Sequence, residues 1–180
     1  MLFRSTGTVR VCGIDVTAKS VTAVRRRVGI VFQDSDEQLF MPTVLEDVTF
    51  GLLHLGLQPE EAVARARETL VRVGAAHLEH RAPYHLSAGE KRRIAIAGVL
   101  AMHPDVLILD EPTTFLDPPG QRDLLHLLQH LPQAKILVTH DIQFARAIAN
   151  RAVFFERGQV QGEGPVDEVV NRFSWNLDAR

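Results

Sequence analysis

The chain has 180 residues, 46% of them hydrophobic, which suits one globular domain or one domain with a small subdomain. Its formal net charge of −2 does not indicate a nucleic-acid or anionic-membrane partner. The single cysteine, Cys12, excludes an internal disulfide framework and indicates a reducing compartment. The longest nearly uninterrupted apolar run, 94–102, is about half as long as a membrane-spanning helix. Residues 1–6 are not expected to act as a signal peptide, because no long apolar stretch follows them. Any link to a membrane is therefore expected to run through a partner protein.

The first third of the chain predicts two short strands. Residues 8–12 alternate in polarity and predict a strand that ends at Gly13. Residues 28–32 are apolar throughout, which predicts a strand covered on both faces. Residues 38–56 mix turn signals with short apolar pieces, and we interpret them as a linker into a helical region.

The middle of the chain predicts two helices. Between 59 and 73 the apolar residues recur at helical spacing, with Pro59 suited to a first turn and Gly74 to the position just past the end. Ser87 followed three residues later by Glu90 is a capping-box pattern, which predicts a helix that runs to about Met102.

The last part of the chain alternates strands with helices. Apolar runs predict buried strands at 106–109 and 136–138, helices at 121–131 and 142–149, and a hairpin over 152–160 that turns at residues 157–158. This alternation implies an α/β fold with a mainly parallel sheet covered by helices. In such sheets the chemistry collects at the carboxyl ends of the strands, where Gln33, Asp110, Glu111 and His140 are expected.

Two adjacent carboxylates, Asp110 and Glu111, follow the aliphatic strand 106–109. Beside a phosphate the two carboxylates can have different roles: one can hold Mg²⁺ while the other polarises an attacking water. An ordinary acidic turn after a strand is the alternative, and the pair taken alone does not decide between the two.

The neighbouring residues favour the chemical interpretation. Residues 85–118, HLSAGEKRRIAIAGVLAMHPDVLILDEPTTFLDP, closely resemble the ABC ATPase family. Within and around this stretch, five motifs of that family occur in its order and spacing: the Q-loop at 32–33, the signature motif at 86–90, Walker B with its catalytic glutamate at 106–111, the D-loop at 115–117 and the switch histidine at 140. The resemblance implies a P-loop NTPase-like fold with a small helical subdomain, and an ATPase with ATP as substrate and Mg²⁺ as cofactor.

The resemblance also implies a role for each site residue. Asp110 and Gln33 would hold the Mg²⁺ of Mg-ATP, Glu111 would orient the attacking water, and Gln33 and His140 would sense the γ-phosphate. The start of the signature helix suits a phosphate, because a helix start carries unpaired N–H groups and partial positive charge. It would contact ATP held by a second ATPase subunit, in a homo- or heterodimer, through Ser87, Ala88, Gly89, Glu90 and Asp117. Helix capping alone is the alternative for Ser87, and Ala88 stands where glycine is usual.

The string VFQDSDEQLFMPTVLEDVTFG, residues 31–51, is similar to the ATPases of energy-coupling-factor importers, especially the cobalt and nickel branch. This resemblance implies a subunit that energises uptake of a metal ion or vitamin. A transmembrane subunit would dock near Gln38–Val48, and the protein would lie peripherally on the cytoplasmic face of the cell membrane. A nucleic-acid partner is not expected, since the charge is near neutral.

The family's phosphate loop, G-x-x-x-x-G-K-[ST], has only one near match, residues 13–20, in which Ala18 replaces the second glycine. We interpret this match as a chance resemblance that does not bind phosphate. No capped helical pattern follows Ser20, and bulky residues stand where the backbone must approach the phosphate closely. In addition, Lys19 lies too close to Gln33 for the helix and strands that separate the two motifs in the family. The first strand, the phosphate loop and its helix are therefore expected to be missing. Their absence would expose an internal sheet edge beside the strand that ends at His140, which lowers stability and favours association.

The expected organisation is one ABC ATPase domain over 1–180. Residues 1–37 would be a remnant of the β part with the Q-loop, 38–102 the helical subdomain and signature helix, and 103–180 the part with Walker B, the D-loop, the switch histidine and the hairpin. The expected function is an ATP-hydrolysing importer subunit. The alternative is an ATPase-incompetent partner, or a truncated product, that only completes another subunit's site.

Overall fold

The computed structural model describes residues 7–173. In chain order the elements are β1 (Arg10–Val11), β2 (Ile14–Asp15), α1 (Val21–Arg25), β3 (Val28–Val31), α2 (Val44–His54), α3 (Pro59–Arg72), α4 (Ala88–Ala101), β4 (Val106–Asp110), α5 (Pro118–Gln129), β5 (Ala134–Val138), α6 (Ile142–Ile148), β6 (Arg151–Glu156), β7 (Gln159–Pro165) and α7 (Val166–Arg172). No helix within 7–173 is both long and apolar enough to cross a membrane.

The central sheet has the strand order β3-β4-β5, and all its strands are parallel. Ile30, Ile108 and Ile136 lie side by side across it. The strands β1 and β2, and likewise β6 and β7, form two separate antiparallel hairpins. The predicted α/β fold with a mainly parallel sheet is thus confirmed, and β5 lies at the sheet edge where an exposed edge was expected.

One face of this sheet packs closely on helices. Val31, Leu107 and Leu109 are fully buried, in one cluster with residues of α4 and α5. The contact between β3 and α4 is so close that a Cβ placed on Gly29 would lie 2.0 Å from Cγ1 of Val99. A side chain larger than hydrogen at position 29 therefore does not fit unless Val99 moves.

The opposite face of the sheet is open. Ile30 is 43% exposed, Ile136 52% and Val138 51%. The predictions of a strand covered on both faces at 28–32 and of a buried strand at 136–138 are therefore wrong. The reason is the two-residue period of a strand, because the described helices cover only the face that carries Val31 and Leu109.

The interpretation of 38–56 as a linker is also wrong, because residues 44–54 form α2. Thr43 caps this helix: its Oγ1 accepts a hydrogen bond from Glu46 N at 3.3 Å and donates one to Glu46 Oε2 at 2.7 Å. Val44, Val48 and Leu52 recur every four residues and are fully buried. A capped amphipathic helix thus occupies the stretch where turn signals were expected to dominate.

Most other predicted elements are confirmed with small shifts of their ends. The strand expected over 8–12 is limited to β1, and the helix expected from 121 begins at Pro118. Gly74 adopts φ +70° after α3, and the hairpin turns at Arg157 and Gly158, with φ of 49° and 76°. The division into 1–37, 38–102 and 103–180 stays a prediction.

Candidate functional site

The predicted site residues follow three neighbouring strands. Gln33 comes two residues after β3, Glu111 directly after β4, and His140 two residues after β5. Because these strands are parallel and adjacent, their carboxyl ends share one edge of the sheet. The structure therefore brings the three strand ends together, as predicted.

Glu111 and His140 are in direct contact. Glu111 Oε2 lies 2.8 Å from His140 Nδ1, and it also accepts hydrogen bonds from Thr139 Oγ1 at 3.3 Å and from His140 N at 3.4 Å. The glutamate side chain is 19% exposed and the histidine side chain 76%. The hydrogen bond and the negative charge of Glu111 raise the pKa of His140 above its usual value, against a small opposing effect of burial. The pair can hold a proton between a fixed carboxylate and an accessible imidazole.

The backbone at Glu111 explains its direction. Its φ is +42°, a left-handed conformation that non-glycine residues rarely adopt. Its N–H donates to the carbonyl oxygen of Val138 at 2.8 Å, so the turn is tied to the end of β5. This strained conformation takes Glu111 out of the strand alternation and aims its carboxylate at the residues that follow β5.

Asp110 points elsewhere. It is the last residue of β4, pairs with Val138, and by the strand period shares the open face with Ile108. It is half-buried. A carboxylate at this edge, with the amide of Gln33 at the end of the neighbouring strand, fits Mg²⁺, which takes oxygen ligands and keeps several waters. The part of the chain described contains no cluster of three or more His, Cys, Asp or Glu side chains that could form an all-protein cage.

The start of α4 is an intact capping box. Glu90 Oε2 accepts from Ser87 N and from Ser87 Oγ, both at 2.8 Å, and Glu90 N donates to Ser87 Oγ at 3.3 Å. These bonds lower the pKa of Glu90. The cap thus uses Ser87 and Glu90, whereas Gly89 faces open space, with no atom within 4 Å of a would-be Cβ. Capping and a phosphate contact remain compatible, because the cap leaves the region around Gly89 accessible.

A cleft of about 530 Å³ separates this helix start from residues 115–120. Ser87, Ala88, Gly89 and Glu90 line one side. Asp117 lies on the other, but its Oδ1 is engaged as the cap of α5, where it accepts from Gly120 N at 2.9 Å. Phe115 is 74% exposed with φ +66°. The cleft brings the predicted signature and D-loop residues to one surface.

Residues 13–20 lie away from the parallel sheet. They begin in the turn of the antiparallel hairpin β1–β2 and include its second strand, and Lys19 is exposed. No capped helical pattern was expected after Ser20, and the helix that follows, α1, has five residues and no side-chain cap. Ser20 Oγ donates to Asp15 O at 2.5 Å, which ties the loop back to its own hairpin.

Three residues near the site were missed from the sequence. Thr139 contacts Glu111, while Lys91 and Arg92 reach from α4 to the segment after β3. A signal was present for Arg92, because α4 is apolar from Ile94 onward and a helix that is apolar on all sides is buried. The run of three cations, Lys91-Arg92-Arg93, obscured this signal, since such a run is typical of solvent-exposed residues.

Comparison with known proteins agrees with this geometry. Residues 2–114 match the model of the family described as ABC transporter. A protein of Geobacter sulfurreducens whose name places it among ABC transporter ATP-binding proteins is 47% identical over 163 residues, which are 91% of this chain and 66% of the relative. The energy-coupling factor transporter ATP-binding protein EcfA of Methanoculleus marisnigri is 43% identical over 172 residues, 93% of this chain and 62% of the relative. The chain thus spans somewhat less than two thirds of these relatives.

Solved structures give the same fold. CbiO1 of Clostridium perfringens, part of the ABC transporter complex cbiONQ, has a TM-score of 0.76 at 37% identity, over 89% of this chain and 68% of that one. The ATP-binding cassette MJ0796, in a dimeric post-hydrolysis state bound to ADP and phosphate, has a TM-score of 0.77 at 30% identity, over 90% and 74% of the two chains.

Proposed function

The chain belongs to the ABC transporter family, and on that premise we propose that it is part of a subunit that binds and hydrolyses ATP to energise an importer. The observation that carries the proposal is the contact of 2.8 Å between Glu111 and His140 at the carboxyl edge of the parallel sheet. A carboxylate held against an imidazole at this edge can polarise a water beside a γ-phosphate.

Each site residue then has a defined role. Glu111 orients and polarises the attacking water, and His140 contacts the γ-phosphate while it holds the Glu111 carboxylate in place. Gln33 senses the same phosphate from the end of β3. Ser87 and Gly89, with Ala88, Glu90 and Asp117 around the cleft, face the ATP of a second ATPase subunit. The amide groups at the start of α4 suit that phosphate because they carry partial positive charge.

Magnesium belongs to the same proposal. When bound with ATP, it would neutralise negative charge on the phosphates. Asp110 and Gln33 would hold it, Asp110 through a water molecule. The open face that carries Asp110 leaves room for a phosphate-binding segment, since residues 13–20 contribute no strand to the parallel sheet.

The importer type is proposed as energy-coupling-factor, for cobalt, nickel or a vitamin, because relatives are named EcfA and a solved neighbour is part of cbiONQ. A transmembrane subunit docks near Gln38–Val48, which places the protein peripherally at the cytoplasmic face of the membrane. Phe40 supports this surface, since it is 62% exposed although it packs edge-on against Phe50 at 4.9 Å. Asp47 Oδ1 holds the segment before α2 in place, because it accepts hydrogen bonds from Phe40 N at 3.1 Å and from Met41 N at 3.2 Å.

Glu111→Gln tests the chemistry in the transporter complex that contains this chain. We expect ATP binding to persist while turnover falls about 100-fold or more, because the amide cannot accept the water's proton. Steady-state phosphate release and nucleotide binding measure the two effects. Glu68→Gln, an exposed carboxylate on α3, is the control and keeps full turnover. Undiminished hydrolysis in Glu111→Gln removes Glu111 from the proposed role.

The second candidate function is a partner that completes another subunit's site without hydrolysing ATP itself. The position of Lys19 favours it, because residues 13–20 form no strand of the parallel sheet. Calorimetric titration of the purified chain with Mg-ATP tests whether residues 13–20 bind phosphate. Micromolar affinity that is lost in Lys19→Ala would show that residues 13–20 bind phosphate after all.

A further inference from the structure

The segment between β3 and α2 is fastened to the second turn of α4. Arg92 donates from Nη1 to the carbonyl oxygen of Phe32 and from Nη2 to that of Gln33, the latter at 2.5 Å. One residue earlier, Lys91 Nζ lies 2.6 Å from Asp36 Oδ1. Two of the three cations of α4, Lys91 and Arg92, thus hold loop 32–38, which contains the site residue Gln33.

Gln38 closes the loop from its other end. Its Oε1 accepts from Phe32 N at 3.3 Å, and its Nε2 donates to the carbonyl oxygen of Ala95 at 3.2 Å. The side chain therefore joins the two ends of loop 32–38 and attaches them to α4 one turn beyond Arg92. Loop and helix are linked at four places over a short distance, which makes them one rigid unit.

The environment of Arg92 is unusual for a cation. The residue is 3% exposed, its Nε has no hydrogen-bond partner, and its direct contacts in the loop are backbone carbonyls. Burial lowers the pKa of Arg92, and the charge of Asp34 offsets this only partly. A buried guanidinium without a direct carboxylate partner stabilises a fold poorly compared with an apolar side chain of similar volume. Its rigid fork of donors does, however, fix the positions of two carbonyl groups at once.

We propose that Arg92 is a positioning residue that locks Gln33 to the start of α4, so that Gln33 and the Ser87 cap move as one body. Ala88, the first residue of α4, lies one helical turn before Arg92. Loop 32–38 also runs directly into residues 38–48. A displacement of that segment is therefore transmitted through Arg92 to the helix start. The inference rests on the proposed function for the roles of Gln33 and Ser87, but the mechanical link itself does not.

Hydrogen exchange on the 180-residue chain tests the link without nucleotide. In Arg92→Met we expect the amides of loop 32–38 to exchange about tenfold faster or more, the change that corresponds to loss of a charge-assisted hydrogen bond. The amides of α3 keep their rates. Arg93→Met is the matched control, because Arg93 contacts Val73 O and Asp123 rather than the loop. Unchanged loop exchange in Arg92→Met, or an equal rise in Arg93→Met, overturns the proposal.

Arg92→Lys guards against a variant that fails to fold. Its ammonium keeps the charge but cannot hold both carbonyls, so loop exchange rises less than in Arg92→Met and more than in the wild type. A uniform rise along the whole chain would instead show that Arg92 only stabilises the fold.

A double-mutant cycle in the active transporter complex then tests the action through Gln33. Arg92→Met and Gln33→Ala each lower kcat, and the double variant is little worse than Gln33→Ala alone. Additive losses exclude an action of Arg92 through Gln33. If the wild-type complex hydrolyses no ATP, the proposed function fails, whereas the exchange result still decides the link.

Discussion

The helical region α2–α4 and the sheet β3–β5 differ in how much of their apolar side chains is exposed to solvent. Leu52, Leu70 and Leu100 in the helices are at most 1% exposed, whereas Ile136 and Val138 at the sheet edge are each about half exposed. The helices bury one another, because each faces the other two. The sheet has helices on one face only. The difference shows that the helices of this region bury one another's apolar faces, whereas the described helices leave one face of the sheet in contact with solvent.

The largest expected effect contrasts two large-to-small changes. Leu100→Ala should lower the free energy of unfolding by about 2–5 kcal/mol, since Leu100 is buried on α4 and its truncation leaves a cavity in the hydrophobic core. Ile136→Ala should cost less than about 1 kcal/mol, because half of that side chain already contacts water. Urea denaturation followed by far-UV circular dichroism measures both. Similar losses for the two variants would show that the open face is buried in solution.

The helical region was also the easier one to predict. The spacing of apolar residues and the caps of α3 and α4 are local signals, and both helices occur where expected. The helix α2 was missed although its cap, Thr43 with Glu46, has the same pattern as Ser87 with Glu90. Its apolar residues are dense enough to hide the helical period, so the turn signals before Thr43 dominated the interpretation.

The open face could not be predicted from composition. Ile136, Leu137 and Val138 are equally apolar in sequence, yet only Leu137 faces the helices. Which face is covered depends on elements distant in the chain, and a run of aliphatic residues carries no information about them. Part of the site was predictable, because the ends of parallel neighbouring strands lie at one edge of a sheet. The contact of Arg92 with loop 32–38 was not predictable, because it depends on packing between residues 60 positions apart in the chain.

A second, smaller effect concerns association. The open face should make the purified chain self-associate with increasing concentration, because exposed apolar residues lie side by side next to an edge strand. Ile136→Lys should reduce the association measured by sedimentation velocity. Val71→Lys is the control: Val71 is 66% exposed, but it lies on α3, away from the sheet. Equal improvement by both lysines would attribute the effect to net charge rather than to this face.

The smallest expected effect concerns the Glu111–His140 pair at the carboxyl edge of the sheet. The pKa of His140 should exceed 6.5 in the wild type, because the ionised carboxylate at 2.8 Å stabilises the imidazolium. In Glu111→Gln the charge is lost, and the pKa should fall back toward 6.5. NMR titration of the ring protons, assigned by their loss in His140→Gln, measures the shift. The shift should be modest and should decrease with added salt, since the imidazole is 76% exposed and its interaction is screened. A His140 pKa that is identical in the wild type and in Glu111→Gln would show that the two side chains do not meet in solution.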